Sequence, residues 1–398
     1  MGIRVGICGT GAFADSFIPL FTAHPAVEQV VLSDLDAEKL SAKSAKFGLP
    51  ETCASLDDLC AMDLDAIAIF TQHHIHCPQA VQALRSGKHV YSAVPSAITM
   101  EEIADLVKTV EETGLIYMVG ETSYYYPCAI YCRGRFRNGD FGRVVYAEAE
   151  YYHDFDHGLY DVYRWRHGDD WERYAGLPPM FYPTHSVSMV VSVTGAHVTQ
   201  VSCFGFVDND EDMLFDPERN VWNNPYSNQT ALCRLSDGST ARFNEFRRIG
   251  HPGTVGMSLY GTEGSYEEQV KGQMWVTKDL KTCIDLTEEL APIGLPVGGV
   301  DGQMAKVTGA DGTHVGVSRV HEVSRLPKEY IGLPNGHNGS HQFLIDDFVT
   351  ACVTGQTPSN NVWDAARYLA PGLIAHESCK RDGELLDVPD YGDAPASP

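Results

Sequence analysis

Apolar positions fall into two different rhythms along this chain, and the change comes near residue 143. Before it, short apolar runs at 3–8, 29–33, 66–70, 89–92 and 116–119 read as strands. Stretches of helical period lie between them, at 12–23, 37–47, 77–86 and 100–113. Strands that alternate with helices in this way predict a parallel, doubly wound sheet. After residue 143, strand-like runs follow one another at 144–152, 198–206, 229–235, 239–246 and 255–260. Asp237-Gly238, between two of these runs, is a hairpin turn signal. A final helical pattern spans 361–381, the Gly-rich stretch 295–312 reads as loop, and the Pro- and Asp-rich tail reads as disordered at its end.

The expected fold class is α/β. Residues 1–121 form an N-terminal Rossmann domain with a doubly wound parallel sheet. Residues 122–398 form a C-terminal α+β domain with a large, mostly antiparallel open sheet, for substrate binding and oligomerisation. An open sheet leaves one face to cover, so a homo-oligomer, dimer or tetramer, is expected.

Charge narrows the partners. A net charge of −24 argues against nucleic acid and against an anionic membrane surface. It also means that an anionic ligand has to be held by a local basic cluster. No apolar run is long enough to span a bilayer, and the opening residues read as a strand rather than a signal peptide. Eleven scattered cysteines without a CxxC pair read as free thiols in a reducing compartment, so a cytoplasmic location is expected.

Gly9-Thr10-Gly11-Ala12-Phe13-Ala14 follows the first strand and opens a helical pattern. In that context the first glycine makes a tight turn and the second lets a pyrophosphate approach the backbone. The helix N-terminus then offers unpaired N–H groups to the anion. Asp34 ends the second strand, where a carboxylate accepts hydrogen bonds from ribose hydroxyls and repels a 2′-phosphate. The expected cofactor is therefore NAD, with Gly9, Gly11, Ala12, Phe13 and Asp34 among its contacts. The bland alternative makes Asp34 a helix cap, a role that suits Asp36 better.

Two further segments carry a family resemblance. Thr71-Gln72-His73-His74-Ile75-His76 and Gly87-Lys88-His89-Val90-Tyr91-Ser92-Ala93-Val94-Pro95 resemble the glucose–fructose oxidoreductase/inositol dehydrogenase/MocA superfamily. So does Gly336-His337-Asn338-Gly339-Ser340-His341. The resemblance places Thr71, His73, His76, Ala93 and Pro95 beside the cofactor. Ala93-Val94-Pro95 replaces the family's Glu-Lys-Pro, so the lysine that assists alcohol oxidation is missing. Phe181 stands where many dehydrogenases of the family carry Asp. A branch of NAD-dependent α-N-acetylgalactosaminidase-type glycosidases also has Val for that lysine. Its segments resemble Met118-Val119-Gly120-Glu121, Ala147-Glu148-Ala149-Glu150-Tyr151-Tyr152-His153-Asp154 and Tyr182-Pro183-Thr184-His185.

This resemblance implies redox-neutral hydrolysis of a glycoside. C3 is transiently oxidised, the acidified C2 proton is removed, and the C1–O bond breaks by elimination. Water then adds and C3 is re-reduced. His185 is the expected proton acceptor at the C3 hydroxyl, with Tyr182 one helical turn before it if the stretch is helical. Tyr151 is the expected C2 base. Because free tyrosine titrates near ~10, it needs a positive charge nearby, the nicotinamide or an arginine. Alternation along a strand leaves Tyr152 as the alternative. Glu121 is expected to position the sugar or to transfer a proton, or else to cap a helix. Net sugar or cyclitol dehydrogenation and a non-enzymatic NAD-binding role remain the alternatives. The spacing of His73, His74 and His76 matches no zinc pattern, and no metal is expected.

The segment 153–173 places His153, His157, Arg164, Arg166, His167 and Arg173 among Tyr160, Tyr163, Trp165 and Trp171. Aromatic rings stack on sugars and arginine forks match anionic oxygens. His153, Arg164, Trp165 and Arg166 are therefore candidate substrate contacts, for an anionic glycoside. The alternative is a solvated face balanced by its own acidic residues.

Overall fold

The computed structural model describes residues 2–293 and 314–395. The first sheet is built from β1 (Ile3–Cys8), β2 (Val27–Ser33), β3 (Thr52–Cys53), β4 (Ala66–Ile69), β5 (His89–Ser92) and β6 (Tyr117–Val119). Helices α1 (Ile18–Ala23), α2 (Ala37–Phe47), α3 (Leu56–Ala61), α4 (His76–Arg85) and α5 (Met100–Thr113) connect them. The strands pair in the order β3-β2-β1-β4-β5-β6, every pair parallel. This is the expected Rossmann sheet. β4 is buried along its whole length, as a strand covered on both faces must be.

Helix boundaries follow local chemistry. The Asp36 carboxylate accepts from Lys39 N–H and starts α2, and Gly48 in the left-handed region ends it. Thr99 caps α5 while Glu102 reaches back to Ile98 N–H, a capping box. Two expectations need revision. The helix anticipated over 12–23 is a short 3-10 turn, Ala14–Ser16, followed by α1, because Pro19 sets the start of the regular helix. β3 and α3 were not expected, since a two-residue edge strand has too little pattern to register.

The second sheet has nine strands. After α6 (Pro127–Arg137) comes β7 (Val144–Tyr152), then α7 (Leu159–His167), α8 (Trp171–Ala175) and α9 (Thr184–Thr194). β8 (Val198–Val207), β9 (Tyr226–Leu235), β10 (Thr240–Phe246), β11 (Thr254–Gly261), β12 (Gly264–Glu268), β13 (Gln273–Thr277) and β14 (Cys283–Asp285) follow. The chain continues through α10 (Thr287–Leu290), the short turn α11 (Gly336–Gly339), α12 (His341–Thr354), α13 (Val362–Lys380) and β15 (Leu386–Asp387). The order is β14-β13-β12-β11-β7-β10-β9-β8-β15. Among the described strands only β7 with β10 is parallel, so the sheet is mostly antiparallel as expected. Gly238, at φ 87°, makes the β9–β10 hairpin turn. The loop expected at 295–312 lies outside the described residues, as does the very end of the tail.

Two helices tie the sheets together. α9 is buried on most of its surface between β7, α6 and α13, with its valines and Met189 in the core and small hydroxyl side chains between them. α12 returns to the first domain. Phe343, Leu344, Ile345, Phe348 and Val349 share one core with Val5, Ile7, Phe21 and Tyr91. Phe348 is fully buried there, so Phe348→Ala is expected to lower the unfolding free energy by about 3–5 kcal/mol. Chemical denaturation measures this, and an unchanged midpoint would mean that α12 does not cover the first sheet.

Candidate active site

The glycine turn has the form that a dinucleotide requires. Gly9 sits at φ 88°, and a Cβ there would lie 2.9 Å from the Phe70 carbonyl oxygen. A Cβ at Gly11 would meet nothing within 4 Å, so the space above the turn is open. Ala12 lies in the same turn, and the Phe13 ring packs on Phe17, Phe70 and His337. Asp34 Oδ2 accepts from Thr10 N–H (2.8 Å) and from the Thr10 hydroxyl (2.9 Å), while Oδ1 accepts from Asp36 N–H (3.0 Å). Lys39 Nζ comes within 3.4 Å. Burial works to raise the Asp34 carboxyl, but these donors and Lys39 outweigh it and hold the group below its ordinary value. The glycine turn, the open space and an ionised Asp34 together fit NAD.

Beside this turn, His76 opens α4. Its Nδ1 lies 2.9 Å from the Pro95 carbonyl and its Nε2 lies 3.1 Å from the Thr71 carbonyl. Burial depresses the imidazole to about 4, so the neutral ring donates to one of the two. It thereby holds the Thr71 turn against the Ala93-Val94-Pro95 segment, whose Val94–Pro95 peptide is cis.

The expected catalytic residues do come together. Glu121 follows β6 and is fully buried. Its Oε1 accepts from Ser123 N–H at 2.9 Å and lies 2.6 Å from His185 Nδ1. Oε2 is buried with no hydrogen-bond partner among the described residues. Burial favours the protonated carboxyl, yet the charge and hydrogen bond of His185 together with Ser123 hold it below the ordinary value. An ionised Glu121 fixes Nδ1 of His185 as the donor, so Nε2 carries the ring's basic lone pair. Glu121 thus both caps the turn Thr122–Tyr125 and orients His185.

Tyr182 is not one helical turn before His185. α9 begins at Thr184, and Tyr182 ends the preceding 3-10 turn with φ −129° and ψ 49°. Its ring centroid is still 5.4 Å from that of His185. On β7 the alternation is settled. The Tyr151 ring lies 5.2 Å from His185 and 6.1 Å from Tyr182. Tyr152 points to the opposite face and stacks on Phe246. The Tyr151 hydroxyl is 2.5 Å from His153 Nδ1, so His153 is a partner of the tyrosine.

Residues that the sequence did not single out complete the cluster. Arg247 lies 4.7 Å from the Tyr151 ring centroid and donates to the Tyr151 carbonyl at 3.3 Å. It places a positive charge beside Tyr151. Glu245 pairs with Arg247 at 3.2 Å and accepts from Ser186, next to His185, at 2.7 Å. Burial pushes the Glu245 carboxyl up to about 8 in spite of Arg247. In the parallel β7–β10 register Glu245 is opposite Tyr151. That pairing joins strands far apart in sequence, and no local pattern announces it.

The segment 153–173 divides. Arg166, in the last turn of α7, donates to His73 Nε2. The His73 ring lies 5.3 Å from Tyr182. Arg164 instead pairs with Asp161 and stacks on Trp171, while Trp165 is 73% exposed. Successive helical residues point ~100° apart, so three consecutive side chains cannot all face one site. Of the expected substrate contacts, His153 and Arg166 reach the cluster and Arg164 and Trp165 do not. Among the described residues no three His, Cys, Asp or Glu side chains are grouped to hold a metal.

Replacing Asp34 by Ala is expected to weaken NAD binding about tenfold or more, since hydrogen bonds to a charged group are lost. With Lys39 unbalanced, discrimination against NADP falls as well. The wild-type affinity should stay level from pH 8 to about 5, because the depressed Asp34 carboxyl protonates only below its usual ~3.9. Fluorescence titration with both cofactors checks each point.

Comparison with known proteins accords with this geometry. Residues 3–121 match the NAD-binding Rossmann fold of the GFO/IDH/MocA oxidoreductase family, and residues 131–267 match the GFO/IDH/MocA C-terminal domain. A glycosyl hydrolase family 109 protein of Saccharopolyspora erythraea is 26% identical, over 98% of this chain and 83% of its own length. One from Porphyromonas gingivalis is 22% identical, over 98% and 84%. Among solved structures, levoglucosan dehydrogenase in complex with NADH and levoglucosan superposes with a TM-score of 0.71 at 16% identity, covering 98% of this chain and all of that one. The scyllo-inositol dehydrogenase of Lactobacillus casei gives 0.70 at 16% identity, over 97% and 99%. The chain is an NAD-binding enzyme that belongs to the GFO/IDH/MocA oxidoreductase family.

Proposed function

We propose that the protein is a redox-neutral, NAD-dependent glycosidase. The observation that carries this reading is a pair of proton acceptors facing one place: His185 oriented by Glu121, and Tyr151 joined to His153 beneath Arg247. Sugar oxidation alone needs one base. Hydrolysis through elimination needs two, one for the C3 hydroxyl and one for the C2 hydrogen. The similarity to glycosyl hydrolase family 109 proteins along nearly the whole chain supports the same reading.

When bound, NAD supplies the reversible hydride acceptor for C3. His185 Nε2 takes the C3 hydroxyl proton, and Glu121 stabilises the imidazolium that forms. Tyr151 removes the C2 proton once C3 is a ketone. Its own proton passes to His153, and the Arg247 guanidinium favours the negative charge on the phenolic oxygen. The C1–O bond then breaks, the aglycone oxygen takes the proton that water gives up as its hydroxyl adds at C1, and Tyr151 and His185 return their protons to C2 and to the C3 oxygen as C3 is re-reduced. Val94, in the place of the family's lysine, takes no part, so the proton work rests on the two histidines and Tyr151. Tyr182, packed between His73 and His185, orients the sugar. The second reading, net sugar or cyclitol dehydrogenation, uses the Glu121–His185 pair alone and leaves the Tyr151–His153 pair without a role.

Incubation with a panel of aryl glycosides, with released phenol and NADH absorbance followed together, separates the two. The glycosidase reading expects many phenols per enzyme and no net NADH. NADH formed in step with substrate, with the glycosidic bond intact, would replace it with the dehydrogenase reading. His185→Ala and Tyr151→Phe are each expected to lower kcat by about 10²–10⁴-fold, while the NAD dissociation constant stays within about twofold. Under the dehydrogenase reading Tyr151→Phe would leave kcat nearly unchanged.

A further inference from the structure

Arg166 stands apart from the other arginines around the site. Arg164 is paired with Asp161, Arg247 with Glu245, and Arg248 with Asp208 and Asp212. Arg166 is half-buried, reaches across to His73 of the first domain, and has no carboxylate within ion-pair range among the described residues. In a chain with 53 acidic side chains and a net charge of −24, a sheltered arginine without a counter-ion is unusual.

Its surroundings do not offset the charge. Burial, reinforced by Arg166 itself, keeps His73 well below its ordinary pKa, so its Nε2 accepts from the guanidinium. His167 and His76 are depressed to about 4 and are neutral as well. The ionised Glu121 is already committed to His185. One N–H of Arg166 is spent on His73, and the remaining donors of the fork have no acceptor among the described residues. A planar fork with several donors left, held at the edge of the Tyr182–His185 cluster, matches the paired oxygens of a carboxylate, sulfate or phosphate.

We propose that Arg166 binds an anionic substituent of the sugar, so that the substrate class is an acidic glycoside. This rests on the reading that the cluster of Tyr151, Tyr182 and His185 takes a sugar. It does not depend on whether the reaction is hydrolysis or net oxidation. Arg166 holds the anion and His73 holds Arg166. Salt weakens the contact, because attraction between charges in a partly solvated site is screened.

Calorimetric titration of the NAD complex tests this without turnover. The ligands are uronic acids, sugar 6-sulfates and sugar 6-phosphates, each set against its neutral parent. At least one acid is expected to bind about 10- to 100-fold more tightly than its parent. That advantage is expected to shrink as salt is raised, to vanish in Arg166→Met and to return in part in Arg166→Lys. The NAD dissociation constant of Arg166→Met should equal that of the wild type. If no acid binds better than its neutral parent, the proposal is overturned, and the phenol and NADH readouts still decide the reaction independently. Weaker NAD binding by Arg166→Met would also overturn it, since the arginine would then serve a cofactor phosphate. If Arg166→Met fails to fold, the wild-type preference and its salt dependence decide alone.

Discussion

The buried contact between Glu121 and His185 is the constraint on which the rest depends. Glu121 stands at the end of the first sheet and His185 in the first turn of α9, within the second domain. A carboxylate taken fully out of water is costly unless it is paired and hydrogen-bonded, and removing one partner of such a pair costs about 3–5 kcal/mol. Ser123 and His185 meet that need at Oε1, and Asn360 donates to the Glu121 carbonyl at 3.1 Å. The two domains are therefore joined by the same bond that sets the histidine's tautomer. Any shift between the sheets would loosen His185 as well as the interface.

From that joint the network runs on. Ser186, next to His185, bonds Glu245. Glu245 pairs with Arg247, which lies on the ring of Tyr151. These contacts run from Glu121 to His185 and, through Ser186, Glu245 and Arg247, to Tyr151, which orders side chains from β6, α9, β7 and β10 around one place. Glu121 Oε2, buried and without a partner among the described residues, is left for what arrives there. Buried polar groups generally find partners, and the hydroxyls of Thr122 and Thr184 share the unpartnered state of Oε2 among the described residues.

Much of this was legible in the sequence. The Rossmann strands, the glycine turn and Asp34 stand in local patterns with a physical reason for each, while Tyr182 and His185 were picked out by the family resemblance. The antiparallel texture of the second domain follows from strand-like runs and the Asp237-Gly238 turn. Other features were not legible because they are products of tertiary geometry. Arg247 and Glu245 reach Tyr151 only through a parallel pairing of β7 with β10. α12 covers the first sheet although it lies more than 200 residues beyond it in the chain. Arg164, Trp165 and Arg166 are alike as letters, and only the rotation of α7 selects Arg166. Tyr151 and Tyr152 needed the strand's face to be known before one could be chosen.

Hydrolysis by the proposed route breaks C–H bonds at both C3 and C2. The most direct test is to run the cleavage in D2O and to locate deuterium in the released sugar by NMR. One deuterium is expected at C2, placed there when Tyr151 returns a proton exchanged with solvent, with protium retained at C3. Hydrolysed sugar without deuterium at C2 would contradict it, since direct displacement at C1 leaves that bond untouched.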